Sequence, residues 1–336
     1  MQEYYELLRA TSRTFATGIE ALPRPLRNAV TLAYLVLRVS DYFEDSPSLD
    51  VGEKRNALGL WARLVEDSAP RPMNGEVTEL VGMVDARDRD LPDQAAALNA
   101  ASILDGLARI PPALRDPIRA HTASTTRGMS RWAERGADFP DEAALDDYMF
   151  EVAGRVGLLL TDLFCAYSPA VQRRRGLLLE SAVSFGLGLQ TVNIIRGLHE
   201  DPARGWIYIP QNLLQEVFPA VDQSMDLRNL DRAQQLRILS FFVSKAADHI
   251  GDALRYCQTL PRAQRGIRVF CIIPALLALR TASASAGNPQ TFETAVKLGR
   301  GDVRRVVLSA RVLFLSNTWL EGERRRALAL LDRQTS

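Results

Sequence analysis

Residues 26–45 read LRNAVTLAYLVLRVSDYFED, an apolar run with a helical period that ends in three acids. Asp41 and Asp45 are four residues apart, so a helix places both carboxylates on one face, with Glu44 beside them and Arg38 one turn earlier. Carboxylates this close repel one another unless a cation or a basic ligand lies among them, and their oxygens suit Mg²⁺. The run predicts a helix whose acidic end either binds a metal ion or is simply solvated.

A second stretch of similar character covers residues 190–210 and reads QTVNIIRGLHEDPARGWIYIP. If it is helical, one face carries the residues spaced i, i+3, i+7 and i+11, which are Gln190, Asn193, Gly197 and Asp201. Glu200 lies beside Asp201, and Arg196 and Arg204 flank this face. A polar outer face with an acidic end would explain the pattern without any function. Two acidic helix ends with arginines nearby instead favour a shared site for Mg²⁺ and a diphosphate group.

The rest of the chain has the same helical period and lacks the signals of other fold classes. Strong helical patterns cover residues 25–45, 142–167, 176–201, 230–259, 262–284 and 302–332, with loops at 46–53, 68–75 and 136–141. No run alternates as a β-strand does, and the absence of GxGxxG and P-loop motifs argues against an α/β nucleotide-binding domain. Since there is no repeat and no linker between halves, we expect one all-α domain over residues 1–336.

Composition and charge exclude several classes of protein. Hydrophobic residues make up 47% of the 336 positions and charged residues 24%, as in ordinary globular proteins. The net charge of +1 provides no field that would attract nucleic acid, so we expect no nucleic-acid partner. The three cysteines and three histidines have no zinc or redox spacing, which is typical of a protein from a reducing compartment.

The sequence predicts neither export nor membrane insertion. The first residues, MQEYYELLRA, do not resemble a secretory signal. The longest apolar stretches, 29–37 and 269–279, are shorter than the ~20 residues that a spanning helix needs. We therefore expect a cytoplasmic monomer that associates with membranes loosely at most.

Over most of its length the chain resembles the squalene/phytoene synthase family. The resemblance lies in SRTF at 12–15, ALP at 21–23, the run at 26–45, Tyr148 with VAGRVG at 152–157, QTVNIIRGLHED at 190–201, and CIIPALLALRTASASAGNPQTFETAVKLGRG at 271–301. The last of these stretches is more similar to squalene synthases than to phytoene synthases.

The resemblance implies an all-α isoprenoid-synthase helical bundle around a central active-site cavity, which binds Mg²⁺ and two prenyl diphosphates, typically farnesyl diphosphate. It assigns the metal ions to Asp41, Glu44, Asp45, Asn193, Glu200 and Asp201. It assigns the diphosphate groups to Ser12, Arg13, Tyr34, Arg38, Asn193, Arg196 and Arg204. Tyr148 becomes the catalytic tyrosine, acting with Asp41, Asp45 and Asp201, and NADPH, where it is used, would contact Lys297 and Arg300. Without the resemblance, Tyr148 is equally well explained as a core tyrosine.

Gly197 is the one clear departure from the family pattern. The second acidic motif of the family usually reads N-x-x-R-D-x-x-x-D, and Gly197 stands where its first acid would be. If the remaining acids suffice, we expect head-to-head condensation of two farnesyl diphosphates to presqualene diphosphate, squalene or a related C30 product. If the second site is altered, Gly197 could make room for a non-isoprenoid acceptor such as an aromatic ring. A non-catalytic family member, similar to the family's assembly factors, is the third alternative.

Overall fold

The structure is a computed structural model that describes residues 1–67, 75–217, 227 and 230–334, except for the side chains of residues 13, 14 and 331–334. These ranges are mostly helical and contain no strand, which confirms the predicted all-α class. The α-helices are α1 (Gln2–Thr11), α2 (Arg13–Ile19), α3 (Arg24–Asp45), α4 (Val51–Glu66), α5 (Gly75–Gly82), α6 (Gln94–Leu98), α7 (Ala100–Ala108), α8 (Pro112–Arg135), α9 (Glu142–Met149), α10 (Arg155–Tyr167), α11 (Pro169–Gln172), α12 (Arg175–Gly197), α13 (Gln211–Val217), α14 (Arg232–Thr259), α15 (Arg265–Ser285), α16 (Arg300–Leu313) and α17 (Asn317–Gln334).

The main helical patterns are confirmed, although one was predicted too long and another is divided into two helices. The helix predicted over 176–201 ends at Gly197, so Asp201 does not continue its face. The helix predicted over 302–332 is two helices, α16 and α17, separated at residues 314–316. The predicted loop at 136–141 is present, α4 already begins within the loop predicted at 46–53, and most of the loop predicted at 68–75 lies outside the described residues.

The chain divides into two compact units, the first of which comprises Met1–Gly136 and Leu158–Arg175. Helix α3 packs there against α1, α4, α6, α7 and α8. Its core face is fully buried at Leu26, Leu32, Leu35, Val36 and Val39. The Trp61 indole of α4 donates to the Val36 carbonyl oxygen at 3.1 Å. Packing on several sides holds α3 in place, and the acidic residues at its C-terminal end are fixed with it.

The second unit comprises Ala137–Gly157 and Gly176–Ser336, and α14 packs in it against α13, α15 and α17. Arg268 of α15 is fully buried. Its guanidinium donates to the carbonyl oxygens of Leu260 and Phe314, both at 2.6 Å, and to Asn317 Oδ1 at 2.8 Å. Because these partners lie in two separate turns, Arg268 joins the end of α14 to the break between α16 and α17.

Within the second unit, two glycines bring α12 against the end of α9 and the residues that follow it. A Cβ on Gly157 would lie 1.8 Å from the Ala182 carbonyl oxygen, and one on Gly186 would lie 2.1 Å from the Ala153 carbonyl oxygen. Residues Phe150–Gly154 form a π-helix immediately after α9. Single π-helical turns occur often at functional sites, because the extra residue reorients neighbouring side chains.

Two helices are long and apolar enough, by length and composition alone, to cross a membrane: α12 and α15. The search for uninterrupted apolar runs did not predict these helices. Mean hydropathy over a window identifies them, because it tolerates scattered polar residues. In the most apolar window of each helix, 61% of α12 and 72% of α15 are buried inside the protein. Burial of this extent is typical of core helices, so these two segments are weak indicators of membrane insertion.

Candidate active site

In the first unit, the acidic end of α3 forms a charged cluster around Arg38. Arg38 makes ion pairs with Asp41 and with Asp93, whose Oδ2 lies 3.4 Å from Arg38 Nη1. Arg38 Nε, Asp93 Oδ1 and Glu44 Oε1 are buried without a hydrogen-bond partner among the described residues. Since unpaired buried polar atoms are rare in proteins, these three indicate that the cluster is built to receive a ligand.

The position of these acids on α3 costs stability. The C-terminal end of a helix carries a partial negative charge, which favours cations and disfavours carboxylates there. The last turn of α3 contains Glu44 and Asp45 and no basic residue. An arrangement that opposes the helix dipole suggests that these acids serve a function rather than the fold.

Burial raises the pKa of every carboxyl group at the centre of the cluster. The pKa of Asp41 rises to about 7, chiefly through burial, with Arg38 lowering it and Asp93 and Asp45 raising it further. The pKa of Glu44 lies well above its usual range because of burial and the neighbouring Asp45 and Asp41. Burial also raises the pKa of Asp93. A bound cation would lower these pKa values, because metal binding requires the ionised carboxylate.

The donor set fits Mg²⁺ as a partial ligand set. Among the described residues, no group of three or more histidine, cysteine, aspartate and glutamate side chains is arranged to hold a metal ion. Mg²⁺ does not need one, because it usually binds through one or two carboxylates together with waters and substrate phosphates. Asp41 and Asp45 have the required chemistry and share a helix face. Glu44, by contrast, is buried while Asp45 is exposed, so the three acids do not share one face.

Three of the residues that the resemblance assigns to the diphosphate groups meet in this unit. The Tyr34 ring lies 5.2 Å from the Arg38 guanidinium carbon, and burial raises the pKa of its hydroxyl while Arg38, Thr11 and Ser12 lower it. Ser12 Oγ also caps α2 by accepting from the Phe15 N–H at 3.3 Å. The side chain of Arg13 lies outside the described residues. Hydroxyl groups therefore lie close to the Arg38 guanidinium, which itself pairs with Asp41 and Asp93.

In the second unit, Tyr148 belongs to a cluster of four aromatic side chains, which we call the aromatic cluster: Phe139, Tyr148, Trp206 and Tyr208. The Tyr148 ring centroid lies 5.5–5.6 Å from those of the other three rings. Its hydroxyl oxygen is 3.3 Å from that of Tyr208. Such a cluster presents ring faces that attract cations.

The acids of the second stretch lie beyond the end of α12. Asp201 begins a single 3-10 turn, Asp201–Arg204, and its carboxylate is buried and paired with Arg204. Glu200 is exposed. Asn193 and Arg196 are exposed on the last turns of α12, where Asn193 Nδ2 donates to Gln190 Oε1 at 3.5 Å.

Gly197 provides the space that the Asp201 carboxylate occupies. A Cβ on Gly197 would lie 1.9 Å from Asp201 Oδ2. The chain turns after Gly197, and Asp201 folds back over this glycine instead of following it along a helix. A carboxylate, that of Asp201, therefore lies close to the position at which the family usually has an acid and this chain has Gly197.

The remaining predicted residues, Lys297 and Arg300, are exposed just before α16 and at its first residue. The two acidic stretches lie in different units, so their shared site stays a prediction. Sequence reasoning missed Asp93, for which no local signal exists. It also missed Trp206 and Tyr208, although the sequence WIY at 206–208, directly after the acidic turn, places two aromatic side chains near the predicted site.

Comparison with known proteins gives a consistent result. The family described as squalene/phytoene synthase matches residues 8–311. The squalene synthase of Homo sapiens is 30% identical over 306 residues, which cover 91% of this chain and 68% of that protein. The squalene synthase of Mus musculus is 29% identical over 309 residues with the same coverage. Among solved structures, TcSQS with a ligand superposes with a TM-score of 0.77 at 25% identity, covering 99% of this chain and 98% of that one. A dehydrosqualene synthase at 16% identity has a TM-score of 0.63, which supports the fold alone.

Proposed function

The chain belongs to the squalene/phytoene synthase family, and on that premise we propose that it condenses two farnesyl diphosphates head to head in a Mg²⁺-dependent reaction. Like its relatives, it is a transferase of prenyl groups. The proposed product is presqualene diphosphate, squalene or a related C30 compound. The observation that carries the proposal is the half-buried Arg38 cluster, whose buried atoms include an unpaired guanidinium nitrogen and unpaired carboxylate oxygens.

The first chemical requirement is departure of the diphosphate group. Arg38 presents a planar fork of donors that matches phosphate oxygens, and its unpaired Nε leaves one donor free. Tyr34 and Ser12 add hydroxyl donors close by. Asp41 and Asp45 are the residues that would hold Mg²⁺, which when bound would neutralise the leaving group. Donors fixed in advance stabilise the developing charge without reorganising during the reaction.

The second requirement is protection of the allylic cation. The aromatic cluster offers ring faces that stabilise a cation through their quadrupoles. Tyr148 is buried among these rings, and its hydroxyl can exchange a proton with that of Tyr208 across 3.3 Å. We assign Tyr148 to this role. For a reducing step, Lys297 and Arg300 are exposed cations that could contact the phosphates of NADPH.

Transfer to a non-isoprenoid acceptor receives no support from Gly197. That alternative required free space beside this residue, and the Asp201 carboxylate fills the space. We further propose that the enzyme acts as a monomer in the cytoplasm. The cysteines Cys165, Cys257 and Cys271 are unpaired and buried, as expected in a reducing compartment.

Incubation with farnesyl diphosphate and Mg²⁺, with and without NADPH, followed by mass spectrometry, tests the proposal. We expect diphosphate release together with a C30 product, and no release when Mg²⁺ is chelated. Diphosphate release with no C30 product would contradict head-to-head condensation. Release that is unchanged by chelation would contradict the role of Mg²⁺.

A further inference from the structure

An exposed apolar surface lies at the C-terminal end of α16, whose first residue is Arg300. Of the nine large hydrophobic side chains exposed among the described residues, four fall within eight positions. They are Leu308, Val312, Leu313 and Leu315, exposed by 61%, 64%, 38% and 52%. We call Leu308, Val312 and Leu315 the α16 surface. Single exposed apolar residues are ordinary, whereas a contiguous group marks an interaction site.

The core does not need these residues. Helix α16 already packs through the opposite face, where Val306 and Ala310 are buried. Leu308, Val312 and Leu315 have the spacing i, i+4 and i+7, so they form a stripe on the outer side that continues into the turn after the helix. The helix therefore carries an apolar face on its outer side in addition to the one that packs inward.

Arginines border the α16 surface. Arg304 and Arg311 are exposed and lie within one helical turn of Leu308. Residues 300–315 contain four arginines and one aspartate, a net charge of +3 in a chain whose total is only +1. The aspartate, Asp302, pairs with Arg305. Arg265 is also exposed, and its guanidinium carbon lies 5.4 Å from the Phe314 ring.

We propose that the α16 surface docks the protein on an anionic lipid membrane. Aliphatic side chains inserted among acyl chains and arginines placed at the head groups are the features of helices that lie in the membrane interface. A symmetric pair formed through this surface would bring together two copies of the same positively charged rim, and the like charges would repel. The positive rim thus favours a negatively charged surface over a second copy of this chain.

Sedimentation of the full chain with lipid vesicles tests the proposal. We expect binding to vesicles of phosphatidylcholine mixed with phosphatidylglycerol, weaker binding to phosphatidylcholine alone, and loss of binding at high salt. The variants L308S/V312S and R304E/R311E should each weaken binding by about tenfold or more. Leu177→Ser is the matched control, because Leu177 is exposed by 58% on α12, outside the surface, and its replacement should leave binding unchanged.

The outcomes separate this proposal from the proposed reaction. The substituted residues are exposed, so the variants should release diphosphate from detergent-dispersed farnesyl diphosphate at the wild-type rate. That rate verifies that the variants are folded. Equal binding to both kinds of vesicle, or binding that L308S/V312S leaves unchanged, would overturn the proposal. A dimer in sedimentation analysis that L308S/V312S abolishes would also overturn it, by assigning the surface to a second copy.

Discussion

Replacement of Gly197 by alanine tests whether this glycine serves to position the Asp201 carboxylate. The added Cβ would lie 1.9 Å from Asp201 Oδ2, whereas ordinary contact begins at 3.4 Å, so the carboxylate has to move by about 1.5 Å. Misplacement of a charged group in an active site by ~1 Å can reduce the rate by about 100-fold. We therefore expect Gly197→Ala to lower kcat/KM by about 100-fold and to require more Mg²⁺ for half-maximal rate.

Stability should barely change in the same variant. Alanine gains up to ~1 kcal/mol of helix propensity, less at a helix end, and strain on the partly exposed Asp201–Arg204 pair offsets some of it. Gly176→Ala is the control, because Gly176 lies in the same helix and its Cβ would meet nothing within 4 Å. Steady-state kinetics and thermal unfolding of both variants provide the assay. Wild-type kcat/KM and Mg²⁺ dependence in Gly197→Ala would refute the positioning role.

Substitution by aspartate extends this test. Gly197→Asp restores the usual family acid, but its side chain would collide with the carboxylate of Asp201 and repel it. We expect a loss of activity rather than a gain. Adding Asp201→Gly should recover part of that loss, because one carboxylate then occupies the space. If the single Gly197→Asp variant instead makes more C30 product, the Asp201 carboxylate does not substitute for the missing acid.

The remaining predictions concern the charged residues of both units. Asp41→Asn should slow turnover by about 100-fold or more, because it removes a group that stabilises charge. Asp105→Asn, on an exposed helix face, is the control and should leave the rate unchanged. A wild-type rate in Asp41→Asn would contradict the role of Asp41. Arg38→Lys, Arg196→Lys and Arg204→Lys should weaken pyrophosphate binding in calorimetry, most strongly at the half-buried Arg38, since lysine lacks the planar fork. Unchanged binding in all three would identify ordinary surface ion pairs. The pKa of Asp41 is raised to about 7, so this carboxyl group is mostly protonated below that pH. The affinity for Mg²⁺, measured in the presence of pyrophosphate, should therefore fall as the pH drops through 7. Equal affinities at one pH unit above and one below 7 would disprove this.

Local pattern was enough to predict α3 and its acidic end. An apolar face of helical period extends without interruption to Asp45, and the first unit buries that face as expected. The close approach at Gly157 and Gly186, by contrast, is a tertiary contact in which only hydrogen fits against the opposing carbonyls.

Two helix boundaries could not be obtained from local pattern. The spacing of polar residues continues by chance past Gly197, whereas the helix ends at this glycine, a residue of low helix propensity. The break after α16 depends on a distant residue: the Phe314 carbonyl oxygen accepts from Arg268, which is 46 positions away. Ser316 Oγ then accepts from the Trp319 N–H at 3.1 Å and starts α17.

The functional residues also divide into those predictable from local spacing and those brought together only by the tertiary fold. Asp41 and Arg38 lie one turn apart on one helix, so their meeting was predictable from spacing. Asp93 reaches Arg38 from a separate segment, 55 residues away, and only the tertiary fold brings them together. The aromatic cluster likewise combines residues that are up to 69 positions apart in the chain, from Phe139 to Tyr208.

The reciprocal contacts of Gly157 and Gly186 restrict how this protein can evolve. Each glycine faces a carbonyl of the opposing segment, so a side chain at either position would push apart both segments and, with them, Tyr148 and Asn193. A change of product is therefore more accessible through substitutions after Gly197, where the chain leaves the helix, than through any shift of this pair. Directed evolution that randomises Pro202, Ala203 and Ile207, which carry no role in the proposed reaction, should yield active variants with altered products far more often than randomisation of Gly157 and Gly186.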